Sequence, residues 1–148
     1  MLKYPIKRKI ITKKTPKVYI AGKLNDFACD YIKNVHYMIK DAEEVRKSGF
    51  SIFVPGIDLL CGLVNGDWDY NDYFDNSQPW LAVADAIYVR GEDWHTSEGT
   101  KREILLADSL KIPKFFKDDN GLEKMIKYFN LDNHIDWVEP VFFNNKRK

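Results

Sequence analysis

The sequence has few of the residues that build metal centres and disulfide frameworks. Its 148 residues include only the cysteines Cys29 and Cys61 and the histidines His36, His95 and His134. A structural zinc site takes about four such ligands, most of them closely spaced, and these five residues lack that spacing. We therefore expect no metal ion, no disulfide, and two packed thiols in a reducing compartment.

The sequence also lacks a long hydrophobic run. No apolar stretch approaches the roughly 20 residues that span a bilayer, and no continuous apolar signal segment follows the N-terminal charges. We expect no membrane partner and a cytoplasmic location. Hydrophobic residues nevertheless make up 45% of the sequence, which is too many for a disordered chain. The length suits a single hydrophobic core.

Acidic residues are missing from both ends of the chain. Residues 1–17 carry seven lysines and arginines and no acid, and residues 146–148 add three more basic residues. This leaves 13 basic against 22 acidic side chains for residues 18–145. Because an acidic body repels a phosphate backbone, we do not expect nucleic acid as a partner. We predict a basic extension at residues 1–16 and a folded domain at residues 17–130.

Short β-branched and aromatic runs alternate with amphipathic stretches along this domain. Predicted strands cover residues 18–22, 50–54, 86–89 and 112–116, and predicted helices cover residues 30–47, 75–84, 97–110 and 121–128. Such alternation specifies right-handed crossovers and a parallel sheet. We predict a single-domain, Rossmann-like (flavodoxin-like) α/β fold with helices on both faces. In the aromatic and basic tail, 131–148, the apolar part is predicted to add an edge strand or to cover a neighbouring subunit, and we expect a homo-oligomer.

Ligands of such sheets bind beyond the carboxyl ends of the strands, so the loops that follow the first three strands should share one site. The first loop contains Gly22, Lys23 and Asn25. The segment 57–73 is longer than an ordinary connection and is a candidate binding loop. Flat aromatic faces on which a base can stack come from Trp68, Tyr70, Tyr73 and Trp94.

An anion site is predicted at the start of the helix that begins near Ser97. There, Ser97, Gly99 and Thr100 offer hydroxyls, unpaired N–H groups and the positive end of a helix dipole, and Lys23 adds a full charge. Simple capping of the helix by Ser97 is the alternative. His95, just upstream, is a candidate contact to a base edge or a phosphate, although loop histidines are more often solvated.

Glu103 is the candidate reactive carboxylate. It lies three residues after Thr100 in an otherwise apolar helix, so it should face the mouth of the site. A carboxylate in apolar surroundings can have a raised pKa or attack an electrophilic sugar carbon. The alternative is a surface glutamate paired with Lys101, Arg102 or Lys111. Further carboxylates, each weak evidence alone, are Asp67, Asp69, Asp72 and Asp75.

Three motifs within residues 17–116 carry a family resemblance. They are Tyr19-Ile20-Ala21-Gly22, then Trp80-Leu81-x-x-Ala84-Asp85-Ala86-Ile87-Tyr88-Val89, then Ser97-x-Gly99-Thr100-x-x-Glu103. Together they resemble the nucleoside 2-deoxyribosyltransferase superfamily, which includes the 2′-deoxynucleoside 5′-monophosphate N-glycosidases. The resemblance implies that Glu103 attacks the anomeric carbon, that Tyr19 positions it, and that Ser97 and Gly99 hold the 5′-phosphate. It implies no metal and no redox cofactor.

The sequence departs from that family at the expected proton donor. The usual aspartate falls on Ser77, and Asp72 or Asp75 is the nearest substitute. Lys23 also replaces a small residue, which suits an anionic ligand. We expect an N-glycosidase that acts on (deoxy)nucleoside 5′-monophosphates, with hydrolysis favoured over transfer. The alternatives are a deoxyribosyltransferase for unphosphorylated nucleosides, a non-catalytic nucleotide-binding module, and an interaction protein.

Overall fold

The protein forms an α/β fold around a four-stranded, all-parallel sheet in the order β2-β1-β3-β4. A computed structural model describes residues 15–25 and 28–131. The strands are β1 (Lys17–Ala21), β2 (Ser51–Phe53), β3 (Ala86–Val89) and β4 (Lys114–Phe116), and the helices are α1 (Ala28–Lys47), α2 (Leu59–Asn65), α3 (Tyr70–Ala82), α4 (Glu98–Ser109) and α5 (Gly121–Tyr128). The predicted Rossmann-like fold class is confirmed.

Alternation along the central strand divides the core into two halves. Val18 and Ile20 of β1 pack on one face of the sheet, together with buried residues of α1 and α5. Tyr19 and Ala21 face the opposite side, where α3 and α4 contribute buried Leu81 and Ala107. Successive side chains of a strand point to opposite faces, so helices cover both faces of this sheet.

The registers bring the carboxyl ends of the strands to one edge. Tyr19 of β1 pairs with Phe53 of β2 on one side and with Ile87 of β3 on the other. All pairs run parallel, so the chain leaves β1, β2 and β3 at the same edge of the sheet. Ligands of parallel α/β sheets bind at this edge, and the candidate site lies there.

The segment 57–73 is mostly helical, so its prediction as a loop was wrong. It includes the end of a short 3₁₀ helix (Pro55–Asp58), all of α2, and the first turn of α3. Helix α3 begins at Tyr70 rather than at Asp75, because the Asp69 side chain accepts hydrogen bonds from the first turn and Asp72 closes a capping box.

This earlier start of α3 corrects three further predictions. Pro79 lies inside the helix instead of in its first turn. Leu81 is buried as expected. Trp80 was also expected to turn inward, and its ring stacks on Phe53 of β2 at 5.2 Å, but the side chain is 53% exposed; Val83, just after α3, is 55% exposed. The reason is the helical phase, because only one face of α3 meets the sheet.

Several smaller predictions also differ from the structure. Cys29 and Cys61 are exposed, not packed, because each lies on the outer side of its helix. In α1, Met38, Ala42 and Val45 are buried as the periodicity predicts, whereas the apolar residues Ile32 and Ile39 of the same helix are exposed.

The predicted C-terminal edge strand lies outside the described residues, as does nearly all of the basic extension. Among the described helices, none is long and apolar enough to cross a membrane.

Candidate functional site

A cavity of about 450 Å³ opens at the carboxyl edge of the sheet. Its wall is formed by the connections that follow β1 and β2, by Thr96 and Ser97 at the end of the connection after β3, by α3, and by the first two turns of α4. The residues that line it include Tyr31, Asp58, Trp68, Tyr73, Ser77, Ser97, Gly99 and Glu103. The expectation that the loops after the first three strands share one site is thereby met.

Glu103 and Tyr19 form the central hydrogen bond of the cavity. The Tyr19 hydroxyl donates to Glu103 Oε1 at 2.7 Å, and the Tyr19 side chain is fully buried. Burial raises the pKa of Glu103 to about 7, the hydrogen bond from Tyr19 opposes this rise, and the negative charge of Asp58 adds to it. Burial and the Glu103 charge hold the pKa of Tyr19 well above 10, so Tyr19 remains a hydrogen-bond donor.

Strand and helix geometry bring these two residues together. Tyr19 lies on the face of the central strand that α3 and α4 cover. On α4, Thr100 is 1% exposed and Glu103 is three residues later, on the same side of the helix. The side of α4 that anchors the helix to the sheet therefore also presents Glu103 to Tyr19, and the alternative of a solvent-exposed, paired glutamate does not hold.

The first turn of α4 forms one end of the cavity. Ser97 caps the helix, its hydroxyl accepting from the Thr100 backbone N–H at 3.3 Å and from the Thr100 hydroxyl at 3.1 Å. Ser97, Gly99 and Thr100 also line the cavity. A Cβ atom at Gly99 would lie 3.1 Å from the Tyr70 hydroxyl, so glycine permits the close approach of α3. The helical turn that Ser97 caps therefore also lines the cavity.

Aromatic side chains and the carboxylate of Asp58 also line the cavity. Tyr31, Trp68 and Tyr73 line it, with the rings of Trp68 and Tyr73 packed edge to face at 5.1 Å. Asp58 lines the same cavity. Burial and then the Asp58 charge raise the pKa of Tyr31 and of Tyr73. Burial raises the pKa of Asp58 itself, against the hydrogen bond that Asn76 donates to it.

Sequence reasoning missed Asp58, although one signal was available. Asp58 follows the strand that ends before Val54, and Pro55-Gly56 turns the chain at the carboxyl edge. Acidic residues just beyond that edge are candidate site residues in any parallel sheet.

Some predicted site residues line the cavity and others do not. Gly22 and Asn25 line it, and Ser77 is 4% exposed at its wall, with a hydroxyl that donates to the Phe74 carbonyl. Five other predicted site residues are not among the described residues that line the cavity. They are Lys23, Asp72, Asp75, Trp94 and His95.

Local contacts explain these five placements in part. The Asp72 carboxylate accepts from the Asp69 backbone N–H at 2.7 Å as part of the α3 cap, and Asp75 is exposed on α3. Trp94 packs against Phe116 with a ring separation of 5.4 Å, and the neighbouring His95 is exposed. Neither predicted substitute for the proton donor reaches the cavity.

Gly22 at the cavity wall is needed for the packing behind it. A Cβ atom at Gly22 would lie 2.3 Å from Arg90 Cγ. Arg90 in turn donates to the buried Asp41 at 3.0 Å, and Lys117 donates to the other oxygen of that carboxylate at 2.6 Å. This ion cluster fixes the start of the loop after β1 on the side away from Glu103.

Comparison with known sequences gives one match. The profile of a domain of unknown function, DUF4406, matches residues 16–115, which include all four strands up to Phe115. No curated protein matches the sequence.

Proposed function

We propose that this chain, which belongs to the DUF4406 family of domains of unknown function, cleaves the N-glycosidic bond of a (deoxy)nucleoside 5′-monophosphate. The observation that carries the proposal is the partly buried Glu103 carboxyl, which lines the cavity and accepts a hydrogen bond from the Tyr19 hydroxyl at 2.7 Å. A reactive carboxylate of this kind is the nucleophile in glycosidases that form a covalent intermediate.

The two ends of the cavity support a nucleotide as the ligand. The aromatic side, with Tyr31, Trp68 and Tyr73, offers flat faces to a base. The start of α4, at Ser97 and Gly99, offers N–H groups and a positive helix end to a phosphate. Glu103, one turn further along α4, then faces the sugar between these two groups.

The proposed reaction has two steps. The Glu103 carboxylate attacks the anomeric carbon, and the bond from this carbon to the base nitrogen breaks, so that the base leaves with the electron pair. Water then hydrolyses the glycosyl ester and restores the carboxylate. Overall, water supplies the hydroxyl of the sugar and the proton of the free base. Tyr19, by donating to Glu103, orients the carboxylate and favours its ionised form.

Base release tests this proposal directly. Purified protein is incubated with deoxynucleoside 5′-monophosphates and with the matching nucleosides, and free base is measured by chromatography. We expect base from the monophosphates together with an equal amount of sugar phosphate. Base that appears only when an acceptor base is supplied would show transfer instead of hydrolysis. Nucleosides cleaved in preference to monophosphates would contradict the assignment of the phosphate end.

A second candidate function is a nucleotide-binding module without catalysis. The observation that favours it is the placement of Asp72 and Asp75, because neither of these candidate proton donors lines the cavity. Departure of a poor leaving group needs protonation or strong hydrogen bonding in the transition state. Nucleotide binding measured by calorimetry, with no base released by the same protein, would favour this candidate.

The phosphate end makes a separate prediction. Ser97→Ala should weaken binding of a 5′-monophosphate by roughly 1–3 kcal/mol, because a hydrogen bond to a charged group is lost. Binding of the unphosphorylated nucleoside should change little. Calorimetry with both ligands gives the comparison, and equal weakening of the two would show that Ser97 acts only as the cap of α4.

A further inference from the structure

Asp58 adds a carboxyl from the connection after β2 to a cavity that Glu103 also lines. It follows the turn after β2, and the Asn76 side-chain amide donates to its Oδ2 at 3.3 Å. Tyr31 and Tyr73 line the same cavity, and burial and then the Asp58 charge raise the pKa of both phenols. Asp58 and these aromatic side chains line one cavity, so a base that stacks on them shares that cavity with the carboxylate.

The surroundings of Asp58 leave it as a hydrogen-bond acceptor. Within residues 15–25 and 28–131, no lysine or arginine forms an ion pair with this carboxylate. The bond from Asn76 and one from the Asp58 backbone N–H favour the ionised form, against the burial that raises its pKa. An ionised carboxylate only accepts hydrogen bonds, and a donor on a ligand is the partner that offsets its partial burial.

We propose that Asp58 reads the edge of the base and selects adenine and cytosine, which carry an exocyclic amino group, over hypoxanthine and uracil, which carry an oxo group at the same position. An amino group donates to the carboxylate, whereas an oxo group faces it with lone pairs. The inference rests on the proposed function in taking the ligand to be a nucleotide. It assigns the class of base, which the Glu103 chemistry does not.

Two matched pairs of ligands test this selection, because each pair exchanges one amino group for one oxo group and adds one hydrogen at the neighbouring ring nitrogen. They are deoxycytidine and deoxyuridine monophosphate, and deoxyadenosine and deoxyinosine monophosphate. Affinities are measured by calorimetry in the Glu103→Gln background, so that turnover does not interfere. We expect the amino member of at least one pair to bind about tenfold more tightly, as expected for a hydrogen bond to a charged group.

Asp58→Asn in the same background should reduce that preference to less than about threefold, because the asparagine amide offers both a donor and an acceptor. The matched control is Asp69→Asn. Asp69 also lines the cavity, but its carboxylate caps α3, a role that asparagine fills equally well. The control should keep the full preference.

The outcomes separate this inference from the proposed activity. Equal affinities within both pairs, or a preference that survives Asp58→Asn, would overturn the role of Asp58 even if the parent protein releases base. A preference that depends on Asp58, in a parent protein that releases no base, would support base reading and reject the N-glycosidase. Failure of all four nucleotides to bind would overturn the role of Asp58, and together with no base release by the parent protein it would reject the N-glycosidase as well.

Discussion

Glu103→Gln should lower the rate of base release by about a thousandfold or more, because the amide oxygen is a poor nucleophile and the covalent route is lost. Glutamine has the size of glutamate and its side-chain oxygen can still accept from Tyr19, so the fold and the nucleotide affinity should persist. Single-turnover chromatography gives the rate, and calorimetry gives the affinity.

Glu98→Gln is the matched control for this prediction. Glu98 lies on the same helix and also lines the cavity, but its carboxylate pairs with Lys101 at 2.8 Å and its side chain is 78% exposed. Its amide variant should retain base release within a few-fold. A Glu103→Gln protein that is folded and as active as the parent would remove Glu103 from the reaction, and a parent protein with no activity would leave the binding module as the function.

The fold could be predicted because its main signals are local. The alternation of Val18, Tyr19 and Ile20 specifies a strand covered on both faces, and the parallel order follows from the helices between the strands. The position of the site follows from the same order, because parallel strands end at one edge. The Ser97 cap could also be predicted from the sequence, because the Ser97 side chain acts within its own helical turn.

The structure of residues 57–73 could not be predicted in the same way. Helix α2 has only seven residues and leaves Leu60, Leu63 and Val64 exposed, so its sequence lacks the one-sided apolar pattern of a longer helix. The start of α3 had a readable signal in Asp69 and Asp72, spaced as a capping box. No signal in the sequence indicated the burial of Asp58, because that burial results from tertiary packing.

Ionisation of Glu103 has a consequence for stability as well as for chemistry. Burial raises its pKa from 4.5 to about 7 in the folded protein. Between these two values the folded protein holds the Glu103 proton that the unfolded chain releases. The contribution of this group to the free energy of unfolding is therefore greatest below pH 4.5, falls as the pH rises to 7, and stays at its lower value above pH 7.

Glu103→Gln should consequently stabilise the protein progressively more as the pH rises. The difference in the free energy of unfolding between variant and parent should shift in favour of the variant by about 3 kcal/mol between pH 4 and pH 8, at about 1.4 kcal/mol for each unit of pKa. Urea unfolding at several pH values measures it, and taking the difference cancels groups common to both proteins. Glu43→Gln is the control of opposite sign, because a hydrogen bond from Arg46 lowers the pKa of Glu43, so that its ionisation favours the folded state. A Glu103→Gln difference that does not change with pH would show that Glu103 ionises as easily in the folded protein as in the unfolded chain.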